Sequence, residues 1–513
     1  MIASGDASAQ CDFPIEEWVS ICNGTGNSFD HGNDIGMDSE GNIFVASAST
    51  GAGTSYDFVT MKYDSDGNML WSRSFDGIVH GGDYPNALVV DGSGSVIITG
   101  DSKGNDGYDD YLTVKYDSDG NLCWSARYDA SDYYDYARDV AVDSYGNVYV
   151  AGTTCYDEDH EYFTTIKYSS SGVQLWAVNM YAPNLYNDAA AIAIDGDGYV
   201  FVTGYSAGGY ATVTYSPDGV EQWIRRLNTS VGANYPSDIT VDAADNVLVT
   251  GSSLDYSTGY DYLTVKYSSE GALEWTARYD GSQGEWDYAD VVCADASGNV
   301  IVTGSSFVHC ATVKYDPDGE LLWETMYPDV SEPYDMTLGT GGSIYVTGDR
   351  GGTQSDCMTV LYSSSGVQQW AVFYNGIADY DDHWEAVALD SNGDVYVTGT
   401  SWGVDSKTDC ITIKYDGNTG IESGRQDVAS VLRVTPNPSV SNPSILLDMP
   451  EPVECSVSVY SLDGRLVDTI HEGMLAAGVS TLGWDSVECP AGVYLVVART
   501  IERTMSASVI LLR

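Results

Sequence analysis

Cations are scarce in this sequence. Its 513 residues hold 21 Lys and Arg against 75 Asp and Glu, a formal net charge of -54. Such a surface repels nucleic acid, whose binding needs Lys and Arg to release counterions. No apolar run reaches the roughly 18 residues a membrane helix requires, so no transmembrane segment is expected. The ten cysteines form no CxxC pair and no Cys/His cluster, which argues against zinc. Cys11 with Cys22, and Cys455 with Cys489, are spaced for local disulfides. Residues 1–10, MIASGDASAQ, lack the charged and apolar regions of an export signal and read as a leader or disordered stretch.

Gly (55) and Tyr (39) are plentiful, and short apolar runs alternate with Gly, Asp, Ser and Asn clusters. That pattern is all-β. Self-comparison then sets the architecture. An apolar run such as Val96–Gly100 or Val148–Gly152 recurs eight times. A TVKY-type run also recurs eight times, ending at Tyr63, Tyr116, Tyr168, Tyr215, Tyr267, Tyr315, Tyr362 and Tyr415. A Trp follows about eight residues later, as at Trp71, Trp124 and Trp370. Four short strands per unit, here A to D, are the signature of a β-propeller blade. The eighth unit lacks its Trp strand, and Ile15–Cys22, with Trp18, stands before the first. The expectation is an eight-bladed propeller over residues 11–420, its last blade completed by the N-terminal strand.

These units resemble the β-propeller repeat family known as SBBP repeats, over roughly residues 11 to 420. That family is usually described as seven-bladed, where the count here is eight.

The short A–B and C–D turns, such as Asp38-SEGN and Asp117-SDGN, have Asp to bond back to the backbone and Gly for the left-handed position. They read as hairpin chemistry. Six of the eight Lys (62, 115, 167, 266, 314, 414) hold one strand-C position, which reads as inter-strand pairing. The B–C and D–A loops differ. They vary in length and are rich in Tyr, Trp and Asp, which marks the face that binds. Candidate ligand contacts are Trp286, Trp384, Trp402, Tyr111, Tyr162 and Tyr262. Calcium is the cofactor these acidic loops suit, with Asp157 and Asp159 preceding His160, and Asp381 and Asp382 preceding His383. The Asp-x-Asp-Gly turns are too short for it. Few cations, Lys103, Arg138, Arg350 and Lys407, remain on the loop face to hold an anionic ligand.

No catalytic constellation is readable. The sialidase turn motif fails by one residue between Gly67 and Trp71, and the vicinal Cys pair of quinone dehydrogenases is absent. Cys310, Cys357 and Cys410 share one strand-C position and read as small buried residues.

Repeats stop near residue 420. A polar linker, 421–432, precedes a second pattern over 433–513, with strands joined by Gly and Asp turns, as expected of a small immunoglobulin-like β-sandwich. Asn437-Pro438, Val459-Tyr460, Asp463-Gly464-Arg465, Trp484-Asp485 and Gly492-Val493-Tyr494 resemble the C-terminal sorting domain of bacterial type IX (Por) secretion and its FlgD-type relatives. The resemblance implies contact with export machinery and an extracellular or outer-surface location in a bacterium. The functional expectation is a binding or scaffold protein whose loop face recognises a neutral glycan or a protein partner. The alternatives are a structural surface-layer or filament subunit, and a glycan hydrolase or lyase.

Overall fold

In the computed structural model the first unit is described over residues 14–131, 133–157, 160–181, 186–227, 233–281, 286–307, 309–328, 332–350, 356–376, 380–403 and 407–417. The second is described over 431–435, 442–449, 452–461, 466–476, 478–484, 486–487, 489–490, 492–500 and 504–511. The chain divides between Gly420 and Ile421 into two compact units. Among the described residues no helix is long and apolar enough to cross a membrane.

The first unit holds eight four-stranded antiparallel sheets. Sheet 1 runs Asp30–Met37, Ile43–Thr50, Tyr56–Tyr63 and Met69–Phe75, strands A to D in chain order. Sheets 2 to 7 repeat this and open on Asp83–Val90, Asp135–Val142, Asn187–Ile194, Asn234–Val241, Asp287–Ala294 and Glu332–Leu338. Sheet 8 takes strands A to C from His383–Leu389, Val395–Trp402 and Thr408–Asp416. Its fourth strand is Ile15–Cys22, paired antiparallel to strand C with Cys22 opposite Cys410.

Strands B and C are near-continuous apolar runs because both of their faces are covered. Val96, Ile98, Leu112 and Val114 of sheet 2 pack on Phe44, Ala46 and Phe58 of sheet 1. Ile43, Val45 and Met61 of sheet 1 in turn pack on Ala386, Tyr396 and Cys410 of sheet 8. Cys310, Cys357 and Cys410 are buried among these layers.

The Trp and Gly of the repeat explain each other. Trp71 in strand D of sheet 1 donates its indole N–H to the carbonyl of Ser118, in the C–D turn of sheet 2, at 3.1 Å. Gly120 of that turn has φ +78°, and a Cβ there would lie 2.7 Å from the Trp71 ring. Glycine is required for the turn and for the docking. The same bond recurs from Trp124 to Ser170 and onward to Trp323 and Ser364. Trp18, in the strand lent to sheet 8, makes it to Ser65 of sheet 1 at 3.1 Å.

The repeated lysines do more than pair strands. Lys115 is 5% exposed and meets Asp91, which opens the A–B turn of its own sheet, at 2.6 Å. Lys62, Lys266 and Lys314 meet Asp38, Asp242 and Asp295 in the same way, and Lys414 meets Asp394, which closes its A–B turn. Lys62 also donates to the Ser118 carbonyl that accepts from Trp71. One buried ammonium thus fastens two turns and two sheets.

A bulge interrupts strand A of every sheet, as between Gly32 and Asp34. In alternate sheets the residue after it is aspartate. Asp34, Asp139, Asp238 and Asp335 each accept the backbone N–H of the next sheet's strand A, from Leu88, Ile192, Val292 and Val387 at 2.6–2.9 Å. Burial, above all, pushes Asp34 up to about 8 and Asp238 to about 7, with repulsion from Asp139 and Asp335 adding to it. The charges of Asp139 in sheet 3 and Asp335 in sheet 7 thus reach Asp34 in sheet 1 and Asp238 in sheet 5.

The second unit has a three-stranded sheet (Val431–Thr435, Ser444–Met449, Gly478–Gly483) and a four-stranded one (Leu466–Leu475, Val453–Ser461, Gly492–Thr500, Thr504–Leu511). Ile445 and Leu447 of the first share a core with Val457, Val459 and Val496 of the second, around Trp484 and Tyr494. Cys455 and Cys489 pack in that core. Cys11, Asn437-Pro438, Asp463-Gly464-Arg465 and Asp485 lie outside the described residues.

Candidate functional site

Strand A positions the site. In sheets 2 and 6 its first residue is buried and fixes the incoming loop: Asp83 accepts the Gly77 N–H at 2.6 Å, and Asp287 that of Gly281 at 2.7 Å. Side chains alternate along a strand, so the next residue faces the other way. There stand Tyr84, Tyr136, Tyr235 and Tyr288, at the loop end of the inner strands.

An open cavity of about 460 Å³ lies at the loop end of sheets 3 to 5. Tyr136, Tyr186, Tyr205 and Tyr235 line it, with Arg138, Glu161 and Asp188. Tyr205 and Tyr235 stack at 5.0 Å, and the aromatic run continues through Tyr260 to Tyr288 and Trp286. Arg138 lies over Tyr136 and reaches Asp188 at 3.5 Å, so its charge is answered within the wall. Thr153 donates to Asp188 at 2.7 Å, and Glu161 accepts the Asn187 N–H at 3.3 Å. Burial holds the Glu161 carboxyl above its usual range, and the charge of Asp188 adds to that. Flat apolar ring faces beside fixed carboxylate acceptors suit a ligand with C–H faces and hydroxyl donors.

The aromatics expected from the loops fare unevenly. Trp286 is 60% exposed, beside Tyr260 and Tyr288. Trp402 is half-buried between Phe29 and Tyr380, and Tyr162 is half-buried against Tyr156 and Tyr181. Tyr111, Tyr262 and Trp384 are corrections: at 1%, 0% and 0% exposure they are core residues with no face to offer. Each lies within the first four residues of its strand, with its side chain turned into the core. Tyr136 and Tyr235 were missed because strand A read as framework, while Tyr205 lies in strand B of sheet 4 and Tyr186 just before its strand A. The recurrent [Asp/Asn]-Tyr-[Pro/Ala] at 83–85, 135–137, 234–236 and 287–289 was the available signal.

The metal candidates also move. Asp382 is fully buried and accepts the N–H groups of Gly376 and Trp402, so its carboxylate serves as a cap. Asp157 is bonded to His160, Asp381 is exposed, and Asp159 lies outside the described residues. Among the described residues, carboxylates converge at Asp57/Asp76/Asp83, Asp106/Asp110/Asp129 and Asp261/Asp280/Asp287. The loop-face cations are engaged: Lys103 with Asp109 at 2.9 Å, Arg350 over Phe373 and Lys407 over Phe29.

A family model described as SBBP, beta-propeller repeat, matches residues 124–154, from Trp124 of sheet 2 into strand B of sheet 3. The first unit has a β-propeller fold. No curated protein matches the chain in sequence. Among solved structures, PorZ, a surface component of the type-IX secretion system of Porphyromonas gingivalis, is 11% identical. It covers 96% of this chain and 100% of its own, with a TM-score of 0.26. A protein from Lactobacillus plantarum is 14% identical over 66% of this chain and 93% of its own, with a TM-score of 0.41. XC5397 from Xanthomonas campestris, a gluconolactonase, is 11% identical over 65% and 95%, with a TM-score of 0.30. Likeness at this level says nothing about activity.

Proposed function

We propose that this chain is an exported binding protein that takes a neutral glycan in the tyrosine-lined cavity at the loop end of sheets 3 to 5. The observation that carries this is the convergence of Tyr136, Tyr186, Tyr205 and Tyr235 on one open cavity with Glu161 and Asp188. Tyrosine faces stack on sugar C–H surfaces, and carboxylates accept sugar hydroxyls. The carboxylates outnumber the single arginine, which disfavours anionic ligands. The scaffold is a closed ring of eight blades, supported by the pairing of Ile15–Cys22 with sheet 8 and the docking of Trp18 on sheet 1. The second unit is an immunoglobulin-like domain that directs export and surface attachment. Its motif resemblance and its two sheets sharing one core support this reading.

Glycan hydrolysis has one observation in its favour, the raised Glu161 beside Asp188 in the cavity. Both groups are tied to the frame, which favours binding without turnover. The test is an array of neutral oligosaccharides followed by calorimetry on the purified chain. Saturable binding that Tyr235→Ala weakens tenfold or more supports the reading. Turnover that Glu161→Gln abolishes would replace it with the enzyme, and capture of protein ligands alone would replace it with a docking surface.

A further inference from the structure

At the seam between sheets 1 and 2, aspartates from three segments converge. Asp57 is in strand C of sheet 1, Asp76 follows strand D, and Asp83 opens strand A of sheet 2. One carboxylate oxygen from each lies within 4.8 Å of the other two. Asp57 and Asp83 are only 6% and 1% exposed. Part of each group is used. Asp57 Oδ2 accepts the Thr54 hydroxyl at 3.1 Å, Asp83 Oδ2 the Gly77 N–H at 2.6 Å, and Asp76 Oδ2 faces the His80 ring. The Oδ1 atoms of Asp57 and Asp76 are buried and accept nothing. A buried anionic oxygen without donor or cation is costly.

The repeat supplies the comparison. Three residues after the strand-D Trp, sheets 2 and 5 carry Arg127 and Arg278. Arg127 pairs with Asp110 at 2.5 Å, and Arg278 with Asp261. Those residues are the counterparts of Asp57. Oδ1 of each is likewise orphaned, but an arginine answers the other oxygen. In sheet 1 the same position is Ser74, which reaches Asp57 Oδ2 only as a hydroxyl, at 3.4 Å. The triad therefore has the carboxylates of its counterparts without their guanidinium.

We propose that the Asp57–Asp76–Asp83 seam binds a calcium ion. Three carboxylates offer a hard, all-oxygen set, and water completes the six to eight ligands calcium takes. Magnesium demands a stricter octahedron, and zinc prefers nitrogen or sulfur. The ion would tie the Asp76–Asp83 connection to both sheets.

The test is calorimetric titration of the chelator-treated full chain with calcium chloride, alongside Ser74→Arg and Asp57→Asn. Ser74→Arg installs the cation that sheets 2 and 5 already use, so the fold has precedent for it. The expected result is a saturable site with Kd at or below about 10⁻³ M. Affinity should fall at least roughly tenfold in either variant, with circular dichroism unchanged. Where one variant fails to fold, the other decides. A wild-type chain without saturable uptake, or a folded variant that titrates like wild type, overturns the proposal.

Discussion

The turn face and the loop side of the same sheets use aspartate in opposite ways. On the turn face Asp117 accepts the N–H groups of Asp119 and Asn121 at 3.0 and 2.8 Å, and the Asn121 amide helps hold its carboxyl below the usual range. In strand A, Asp34, Asp135 and Asp238 are pushed up, chiefly by burial. A carboxylate given donors stabilises a hairpin. One given burial and like-charged neighbours stores unfavourable energy, which a proton or a cation relieves. The repeat spends its uniform aspartates on folding, and its departures collect where a ligand can act.

The contrast breaks most severely on the turn face. Lys115→Met leaves Asp91 buried without its cation and should cost about 3–5 kcal/mol. Trp71→Ala opens the seam to sheet 2 and should cost about as much. Urea unfolding of each variant measures both. On the loop side, Tyr235→Ala should weaken glycan binding by about tenfold or more while changing stability by less than about 1 kcal/mol, read by calorimetry and thermal melts.

The buried strand-A aspartates Asp34, Asp139, Asp238 and Asp335 set a pH response. Their folded pKa values, about 6 to 8, exceed the ordinary 3.8. The folded state therefore keeps protons that the unfolded state releases. Their contribution to stability is greatest at the acid end of the window and declines as pH rises from about 4 to 8. The melting temperature should fall by a few degrees between pH 6 and pH 8.5, and Asp34→Asn should flatten that slope. Turn-face carboxylates such as Asp64 and Asp117, whose pKa values are lowered, withdraw their contribution only below about pH 4. The smallest effect sits on the turn face itself: Tyr145, 84% exposed in an A–B turn, should tolerate serine within about 0.5 kcal/mol.

Much of the frame was legible because it repeats. Trp18 was recognisable as the missing strand-D Trp, since seven other units had one. Gly120 could be read as a turn former, but its second duty, lying flat against Trp71, needs two sheets in contact. The site was harder to read. Tyr111 and Tyr262 sit at the loop ends of strands, where a one-residue error in a boundary exchanges core for surface. Asp382 looked like a loop acid, yet it holds the position of Asp83 and Asp287 and caps the loop as they do. Ser74 is unremarkable in a serine-rich chain until it is aligned with Arg127 and Arg278.

By itself the sequence determined the repeat, the strand order within each sheet and the turn chemistry, because these depend on side-chain periodicity and local hydrogen bonding. Tertiary structure alone decided which tyrosines share a cavity, which strand-A aspartates feel one another's charge and which carboxylates lack an arginine. Those groups lie on different sheets, tens of residues apart in the chain. Their proximity comes from sheets packing face to face, and no local pattern records it.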